Sequence, residues 1–249
     1  NKQFGEASSK VVIEQFLEGI EVSVFALTDG LTYQIIGHAK DYKRIGEGDT
    51  GLNTGGMGAY SPLDWVSEAD KEFVLNKILK PVLRVMKENN VEFIGVLYAG
   101  LIKTADGIKV IEFNARFGDP ETQALIPRLK TPLGKLLFNA ATRNLGVSEQ
   151  LVWSNQSAVA VVLAANGYPI KAIIGDEISL PVNSENSFVL HAGTVMKDNM
   201  LCSSGGRVLN IIGLGSDQRA ARDSAYQKIK EIKLLGSFYR NDIAKIKSK

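Results

Sequence analysis

Cysteine, histidine and net charge are all scarce in this chain. Its 249 residues include one cysteine and two histidines, and 29 lysines and arginines against 27 aspartates and glutamates leave a net charge of +2. A single cysteine excludes an internal disulfide and fits a reducing compartment. Two histidines without further ligands at metal-binding spacing argue against a zinc site. So small a charge argues against nucleic acid as a partner.

Long hydrophobic runs and secretion signals are also missing. No apolar stretch reaches the length of a membrane span, and no signal-peptide pattern opens the sequence, so we expect a cytoplasmic protein with no membrane partner. Hydrophobic residues make up 45% and charged residues 22%, which is ordinary for a globular protein of one large or two smaller domains. The sequence does not begin with methionine, and we expect it to be a fragment.

The most informative feature present is a polar strand end. An Asp-Gly turn precedes residues 108–114, which we predict to be the return strand of a hairpin. Strict alternation would place Glu112 and Asn114 on one face, together with Ile108 and Val110. A carboxylate and an amide oxygen two residues apart form the hard donor pair that Mg²⁺ binds, with water and phosphates completing its shell. A strand end that merely caps the next loop is the alternative.

The loop after this strand is crowded with charge. Arg116, Asp119 and Glu121 follow within a few positions, interrupted by Gly118 and Pro120. A structural loop rarely needs so many charges beside an apolar strand, whereas binding and catalytic residues concentrate on loops. The crowding therefore favours a functional site.

Glycine is concentrated in residues 46–58, where it occupies six of thirteen positions. The segment contains G-x-G-x-x-G, but no helix follows it, so we do not interpret it as a dinucleotide fingerprint. Lys43 and Arg44 stand at its base, where they could neutralise phosphate. We predict a mobile flap or a nest of backbone amides around an anion, with an ordinary surface loop as the alternative.

Hydrophobic periodicity supplies the coarse organisation. It predicts strands over 10–17, 21–27, 31–37, 93–103, 108–114 and 158–165, a loop over 41–62, and a helix that is capped by Ser67 and kinked or split at Pro81. A composition shift near 153–157 indicates a domain boundary. The run at 158–165 is continuously apolar, as in a strand buried on both faces.

Six segments together resemble the glycinamide ribonucleotide synthetase family of the ATP-grasp superfamily. They are VVIEQFLEG at 11–19, DYKRIGEGDTGLNTGGMGAYSP at 41–62, GVLYAGL at 95–101, VIEFNARFGDPETQ at 110–123, HAGT at 191–194 and GGRVL at 205–209. They follow the family's order, and other ATP-grasp proteins lack NTGGMGAYSP and FNxRFGDPET. Two positions depart from the family's pattern: Tyr42 stands where His is common in the family, and Ala115 where Cys is common. The expected chemistry needs neither the His nor the Cys side chain.

The resemblance implies an α+β fold. An ATP-grasp half-domain, an antiparallel sheet with helices, would occupy residues 1–155, and a small C-terminal α/β domain would occupy 156–249. In the family, an N-terminal region and the strands bearing the phosphate-binding lysines precede this part. The missing N-terminal region would then be a partner, and we expect the chain alone to be inactive.

The resemblance further implies ATP-dependent ligation of glycine to 5-phosphoribosylamine through glycyl phosphate, with ATP and Mg²⁺ or Mn²⁺ as cofactors. The implied roles are metal binding by Glu112 and Asn114; phosphate stabilisation by Arg116, Lys43 and Arg44; ATP binding by Glu14, Gln15, Phe16, Leu17 and Glu21; and substrate binding by Asp41, Asn53, Gly55, Gly56, Met57, Asp119 and Glu121. Another ATP-grasp carboxylate–amine ligase and a non-catalytic nucleotide-binding module are the alternatives.

Overall fold

The computed structural model describes residues 9–147 and 150–246. Its strands are β1 Ile20–Thr28, β2 Tyr33–Asp41, β3 Arg44–Gly46, β4 Thr50–Asn53, β5 Gly58–Ser61, β6 Gly95–Thr104, β7 Gly107–Asn114, β8 Ser157–Ala165, β9 Ile178–Ser179, β10 Ser187–His191, β11 Thr194–Lys197, β12 Met200–Ser203, β13 Arg207–Gly215, β14 Lys233–Leu234 and β15 Ser237–Phe238. Its α-helices are α1 Glu68–Phe73, α2 Lys80–Glu88, α3 Glu121–Leu125, α4 Leu133–Ala141 and α5 Gln218–Ile229.

An antiparallel sheet of nine strands runs through the described part of the chain. Its order is β10-β13-β8-β5-β2-β1-β6-β7, and β15 pairs with the end of β8. The link is β5, in which Ala59 pairs with Asp41 of β2 on one side and with Ala160 of β8 on the other. The predicted domain boundary therefore lies between strands of one continuous sheet.

Strand β1 shows how the sheet separates two cores. Val24 packs in the main core, whereas Phe25 packs in a second cluster on the opposite face. Burial of such an apolar side chain contributes about 2 kcal/mol, which holds the strand in register. Because side chains alternate along a strand, Glu21 and Ser23 share the face of Phe25 and begin the polar end of that face.

Strand β7 carries a β-bulge. Glu112 pairs with Gly100 of β6, but Leu101, the next residue of β6, pairs with Val110. Ile111 is the extra residue, without a partner in the ladder. An extra residue in one strand bends it and interrupts its alternation.

The bulge changes which side chains share a face. Glu112 and Asn114 follow it and stay together, as predicted. Ile108 and Val110 precede it and lie on the opposite face, where Ile108 packs against the main core. The prediction that these two apolar residues share the face of Glu112 is therefore wrong.

Residues 10–17 do not form the predicted strand. They lie outside regular secondary structure, and none of the described strands pairs with them. Val11, Val12, Ile13 and Phe16 are 78%, 86%, 92% and 83% exposed. Apolar residues predict a strand only where another strand supplies hydrogen-bond partners for its backbone.

The helical region begins where its cap predicts. The Ser67 hydroxyl accepts a hydrogen bond from the Asp70 amide (3.1 Å), and the Asp70 carboxylate accepts one from the Ser67 amide (2.9 Å). Helix α1 continues through a π-helical segment, Val74–Leu79, into α2, and Pro81 lies in the first turn of α2. The predicted kink or split at Pro81 stays a prediction. Across residues 9–147 and 150–246, the helices lack the combined length and hydropathy of a membrane span.

Candidate active site

The polar end of the sheet opens into a cavity of about 890 Å³. Twelve of the predicted site residues line it: Phe16, Leu17, Glu21, Asp41, Lys43, Arg44, Asn53, Gly55, Glu112, Arg116, Asp119 and Glu121. They meet because β2, β1, β6 and β7 are neighbours in the sheet, although they lie far apart in the sequence.

The predicted adenine-binding segment lines a second cavity beside the first. Glu14 and Gln15 lie only there, whereas Phe16, Leu17 and Glu21 line both cavities. This smaller cavity has a volume of about 420 Å³ and is also lined by residues 109–111 of β7. The two cavities are therefore neighbours that share part of their lining.

The predicted metal pair is assembled. Asn114 Nδ2 donates a hydrogen bond to Glu112 Oε1 at 3.2 Å, so the two side chains lie side by side. That bond uses the Asn114 amide nitrogen and one Glu112 oxygen. The Asn114 amide oxygen and the other Glu112 oxygen take no part in it, and both are hard donors suited to Mg²⁺. No group of three or more His, Cys, Asp or Glu in the described residues could hold a metal. A metal here would need water and phosphate as further ligands.

Lys43 is a fixed cation in the wall of the main cavity. Its Nζ lies 3.1 Å from Glu21 Oε2. Burial by itself would lower the pKa of the ammonium, but Asp41 and Glu21 outweigh that effect and raise the pKa. Lys43 is therefore positively charged at neutral pH.

Two arginines add positive charge to the same cavity. Arg44 donates to the main-chain oxygen of Gly51 at 2.8 Å, and Arg116 donates to that of Phe117 at 2.9 Å. Each guanidinium carries five N–H donors, so these bonds leave further donors available. Such planar donors suit phosphate oxygens.

Asp41 is a buried carboxyl at the end of β2. It is 7% exposed, and its Oδ1 has no hydrogen-bond partner among the described residues. Burial is the main cause that raises the pKa of Asp41 to about 7, and the neighbouring Glu121 raises it further against an opposing effect of Lys43.

Sequence reasoning missed the polar residues that hold Glu121. Glu121 is 3% exposed, and its Oε1 accepts a hydrogen bond from the Ser23 hydroxyl at 3.0 Å. The same hydroxyl lies 2.9 Å from the hydroxyl of Tyr98, which lines the cavity. The available signal was Ser23 itself, a polar residue in an apolar strand and on the face of Glu21.

The tip of the glycine-rich segment is anchored. Residues 44–53 form the β3–β4 hairpin, and Arg240 donates to the main-chain oxygen of Arg44 and to Asp49, each at 2.9 Å. Asp242 accepts from the amide of Gly48 at 2.8 Å. Arg240 is only 2% exposed. These contacts connect the hairpin to residues 240–242. A mobile flap or an amide nest around an anion stays a prediction.

The base of the segment is held from the C-terminal half as well. Gly55 donates its amide to the Tyr168 hydroxyl at 3.0 Å and accepts from Arg207 at 2.7 Å. Gly56 has a φ of +113°, and an added Cβ would collide with Pro120. Glycine is required at 56 because both the backbone angle and the close approach exclude a side chain.

Met57 does not fit its predicted role. Its side chain is fully buried in the main core. Its amide donates to the Tyr42 oxygen at 2.8 Å, and its own oxygen accepts from the Val162 amide at 3.1 Å. With side chain and backbone both occupied, Met57 supports the fold and does not face the cavity.

Two family models match the chain. The model described as phosphoribosylglycinamide synthetase, ATP-grasp (A) domain, matches residues 1–122, and the C domain of the same family matches 158–246. Curated relatives named phosphoribosylamine–glycine ligase include those of Streptomyces coelicolor (47% identity) and Synechocystis (45%). Each match covers 96% of this chain and 58% of the relative. The chain thus spans somewhat more than half the length of these relatives.

Solved structures agree with this match. The crystal structure of phosphoribosylamine–glycine ligase from Thermotoga maritima has a TM-score of 0.81 at 33% identity and covers 92% of this chain and 57% of its own. A biotin carboxylase domain from Hydrogenobacter thermophilus, solved with MgADP, has a TM-score of 0.63 at 15% identity and shares the fold. With two domain models of one family in order along it, the chain belongs to the phosphoribosylglycinamide synthetase family and has the ATP-grasp fold.

Proposed function

We propose that the protein containing this chain joins glycine to 5-phosphoribosylamine and cleaves ATP to ADP and phosphate, forming glycinamide ribonucleotide. The observation that carries the proposal is the cavity itself. Glu112, the cation Lys43 and the buried acid Asp41 all line it, and Lys43 is held by its ion pair with Glu21. Asn114 lies beside Glu112 through a hydrogen bond, and the chain belongs to this family. In this proposal residues 1–155 form the ATP-grasp portion and residues 156–249 form the C-terminal domain.

The reaction has two chemical steps. The glycine carboxylate attacks the γ-phosphorus of ATP, which forms glycyl phosphate and releases ADP. The neutral amine of phosphoribosylamine then attacks the acyl carbon and displaces phosphate, and the amide nitrogen loses a proton. Both steps concentrate negative charge on phosphoryl oxygens, so catalysis depends on preorganised cations.

The chain supplies these cations from several elements. Lys43 remains protonated, and Arg44 and Arg116 present guanidinium donors to the same cavity. Glu112 and Asn114 would hold Mg²⁺ or Mn²⁺, which when bound neutralises charge on the phosphates of ATP.

The nucleotide and the substrates would occupy different cavities. The smaller cavity, beside residues 14–17, would take adenine, and Glu21 would accept hydrogen bonds from the ribose hydroxyls. The larger cavity would take glycine and phosphoribosylamine. The residues proposed to contact them are Asp41, Asn53, Gly55, Asp119 and Glu121, all of which line that cavity.

The test uses a chimera, in which this chain replaces the matching part of the Streptomyces coelicolor relative. ADP formation should require both glycine and phosphoribosylamine and should match glycinamide ribonucleotide one for one. The same assay with alanine, aspartate, formate or bicarbonate in place of glycine checks the carboxylate. Preference for one of these would indicate another carboxylate–amine ligase. Binding of ATP without turnover of any carboxylate would indicate a nucleotide-binding module.

A further inference from the structure

A separate cavity of about 430 Å³ is lined by the β1–β2 turn and by α2. It shares no lining residue with either cavity of the candidate active site. Strand β1 runs from Glu21, in the main cavity, to Thr28, in this one, so seven residues of extended chain, roughly 23 Å, lie between them. This cavity, which we call the α2 cavity, has the size that small organic ligands require.

The α2 cavity has an excess of positive charge. Lys80, Arg84 and Lys87 line it at spacings of four and three residues, which places them on one face of α2. Like charges at these spacings repel each other and destabilise a helix. Among the described residues that line the cavity, Glu92 alone is acidic, and it is already paired with Arg143 (2.5 Å) and Lys87 (3.8 Å). The lining therefore favours an anion.

The charges of Lys80 and Arg84 are weakly compensated in the folded chain. Lys80 Nζ donates to the Asn76 side-chain oxygen at 2.7 Å and lies 5.6 Å from the centre of the Tyr33 ring, and both of these partners are uncharged. Arg84 Nε lies 3.8 Å from Glu88, but both side chains are more than 60% exposed, so water screens the pair. An anion in the α2 cavity would supply the negative charge that these two cations lack.

Apolar and aromatic side chains complete the lining. Leu31 and Tyr33 come from the β1–β2 hairpin, and Phe93 comes from the segment before β6. Leu31 is 61% exposed, so an apolar group of a ligand would remove its surface from water. Aromatic side chains pack favourably against other rings. The α2 cavity thus combines cations with a surface suited to a ring.

The turn that lines the α2 cavity is held in place by Asp29. Its Oδ1 accepts from the Leu31 amide at 2.9 Å, and its Oδ2 accepts from the Leu145 amide at 3.0 Å. Gly30 has a φ of +85°, and an added Cβ would lie 2.8 Å from the carboxyl carbon of Glu92. Because these contacts fix the turn before any ligand arrives, binding requires little further ordering of the chain.

The helix that supplies the cations is irregular beside the cavity. Asn76 lines the cavity and belongs to the π-helical segment Val74–Leu79 that leads into α2. Such π-helical turns are rare and are found frequently at functional sites. This irregularity is independent of the excess charge and points to the same place.

We propose that the α2 cavity binds an organic phosphate monoester that carries an aromatic ring. The phosphate would lie against Lys80 and Arg84, whose ammonium and guanidinium groups form charge-assisted hydrogen bonds with phosphate oxygens. The ring would lie against Leu31, Tyr33 and Phe93. Inorganic phosphate would leave the apolar lining in water, and a neutral ring would leave the cations uncompensated, so the ligand needs both parts.

The first experiment measures binding of phenyl phosphate to the chimera by titration calorimetry. Phenyl phosphate should bind at least about tenfold more tightly than either inorganic phosphate or phenol. Excess MgADP should not displace it, because the two cavities share no residue. Equal affinity for inorganic phosphate would indicate an adventitious ion only and would overturn the proposal. Displacement by MgADP would place the ligand in the candidate active site and would also overturn it.

The second experiment locates the ligand with charge-removing variants. Lys80→Gln and Arg84→Gln should each weaken binding of phenyl phosphate at least about fivefold. Lys77→Gln is the matched control, since Lys77 is an exposed cation of the preceding π-helical segment that does not line the cavity, and it should stay within about twofold. An equal loss in all three variants would show that only the net charge of the helix matters, which overturns the site.

The third experiment tests the ring. Tyr33→Leu should weaken binding of phenyl phosphate about threefold or more and leave binding of inorganic phosphate unchanged. Arg116→Gln, in the main cavity, should not alter binding of phenyl phosphate. Loss of binding in Arg116→Gln alone would assign the phosphate to the main cavity and overturn the proposal. All of these readouts are binding constants, so a failure to ligate glycine contradicts the proposed function without affecting this site.

Discussion

Arg207 and Asp119 form an ion pair of 3.1 Å between the segments matched by the two family models. The same Arg207 nitrogen donates to the main-chain oxygens of Asp119 and Gly55, each at 2.7 Å. One side chain of the C-terminal half thus joins the base of the glycine-rich hairpin to the loop after β7. Both of these segments line the main cavity.

Arg207→Lys should loosen this junction. Lysine keeps the charge but lacks the planar fork that reaches several acceptors. We expect the free energy of unfolding to fall by about 1–2 kcal/mol, and ADP to exceed glycinamide ribonucleotide because water reaches the acyl phosphate. Denaturant unfolding and paired product assays of the chimera measure both effects. Arg219→Lys, at an exposed position of α5, is the control. Wild-type stability and one-to-one stoichiometry would contradict the junction's role.

Gly56→Ala tests the other side of the same junction. A Cβ at this position meets Pro120, and a φ of +113° strains any residue other than glycine. We expect a loss of at least about 1 kcal/mol in stability, measured by denaturant unfolding of the chimera. Gly134→Ala is the matched control, since an added Cβ in α4 meets no atom within 4 Å. Equal stability of the two variants would show that 56 tolerates a side chain.

Glu112→Gln tests the metal pair. The substitution keeps the size of the side chain and removes its charge, at an exposed position where stability should not change. Because a metal ion stabilises transition-state charge by several kcal/mol, ligation should fall at least about 100-fold at saturating Mg²⁺. Steady-state ligation by the chimera, with Glu88→Gln on α2 as the control, measures this. Turnover near that of the wild type would exclude Glu112 as a metal ligand.

Asp41 should make stability depend on pH in an unusual direction. Its pKa rises from 3.8 when unfolded to about 7 when folded, so the folded state binds more protons between these values. The free energy of unfolding therefore falls as pH rises through this window. Asp41→Asn removes the effect and should stabilise the chimera by up to about 4 kcal/mol at pH 8, and by little at pH 4. Denaturant unfolding at the two pH values checks this, and a pH-independent difference would contradict it.

The chain by itself should be a poor enzyme. Phe16 lines both cavities and is 83% exposed, so a nucleotide bound against it would be open to water on that side. Exposed apolar residues of this kind also promote aggregation. We expect residues 1–249 alone to show less than about a tenth of the ligation rate of the chimera, since charges on phosphate are weakly compensated in a high-dielectric site. Comparable rates would contradict this expectation.

Local patterns in the sequence were sufficient for several features of the fold. The Ser67 capping box begins a helix because its hydrogen bonds join residues only three positions apart. The apolar run at 158–165 predicted the fully buried strand β8, because a continuous apolar run is a property of neighbouring residues in the sequence. Glu112 and Asn114 could be paired because both follow the bulge, where the two-residue period holds.

Only the tertiary structure decided the rest. The bulge at Ile111 depends on how β7 pairs with β6, so the faces of Ile108 and Val110 could not be read from alternation. Arg240 reaches the main chain of Arg44 across 196 residues, and neither residue signals the other in the sequence. The ionisation of Asp41 likewise depends on its burial and on Glu121, which lies 80 positions away in the sequence. Side-chain chemistry and short-range periodicity are local properties, whereas strand register, burial and long-range hydrogen bonds exist only once the chain has folded.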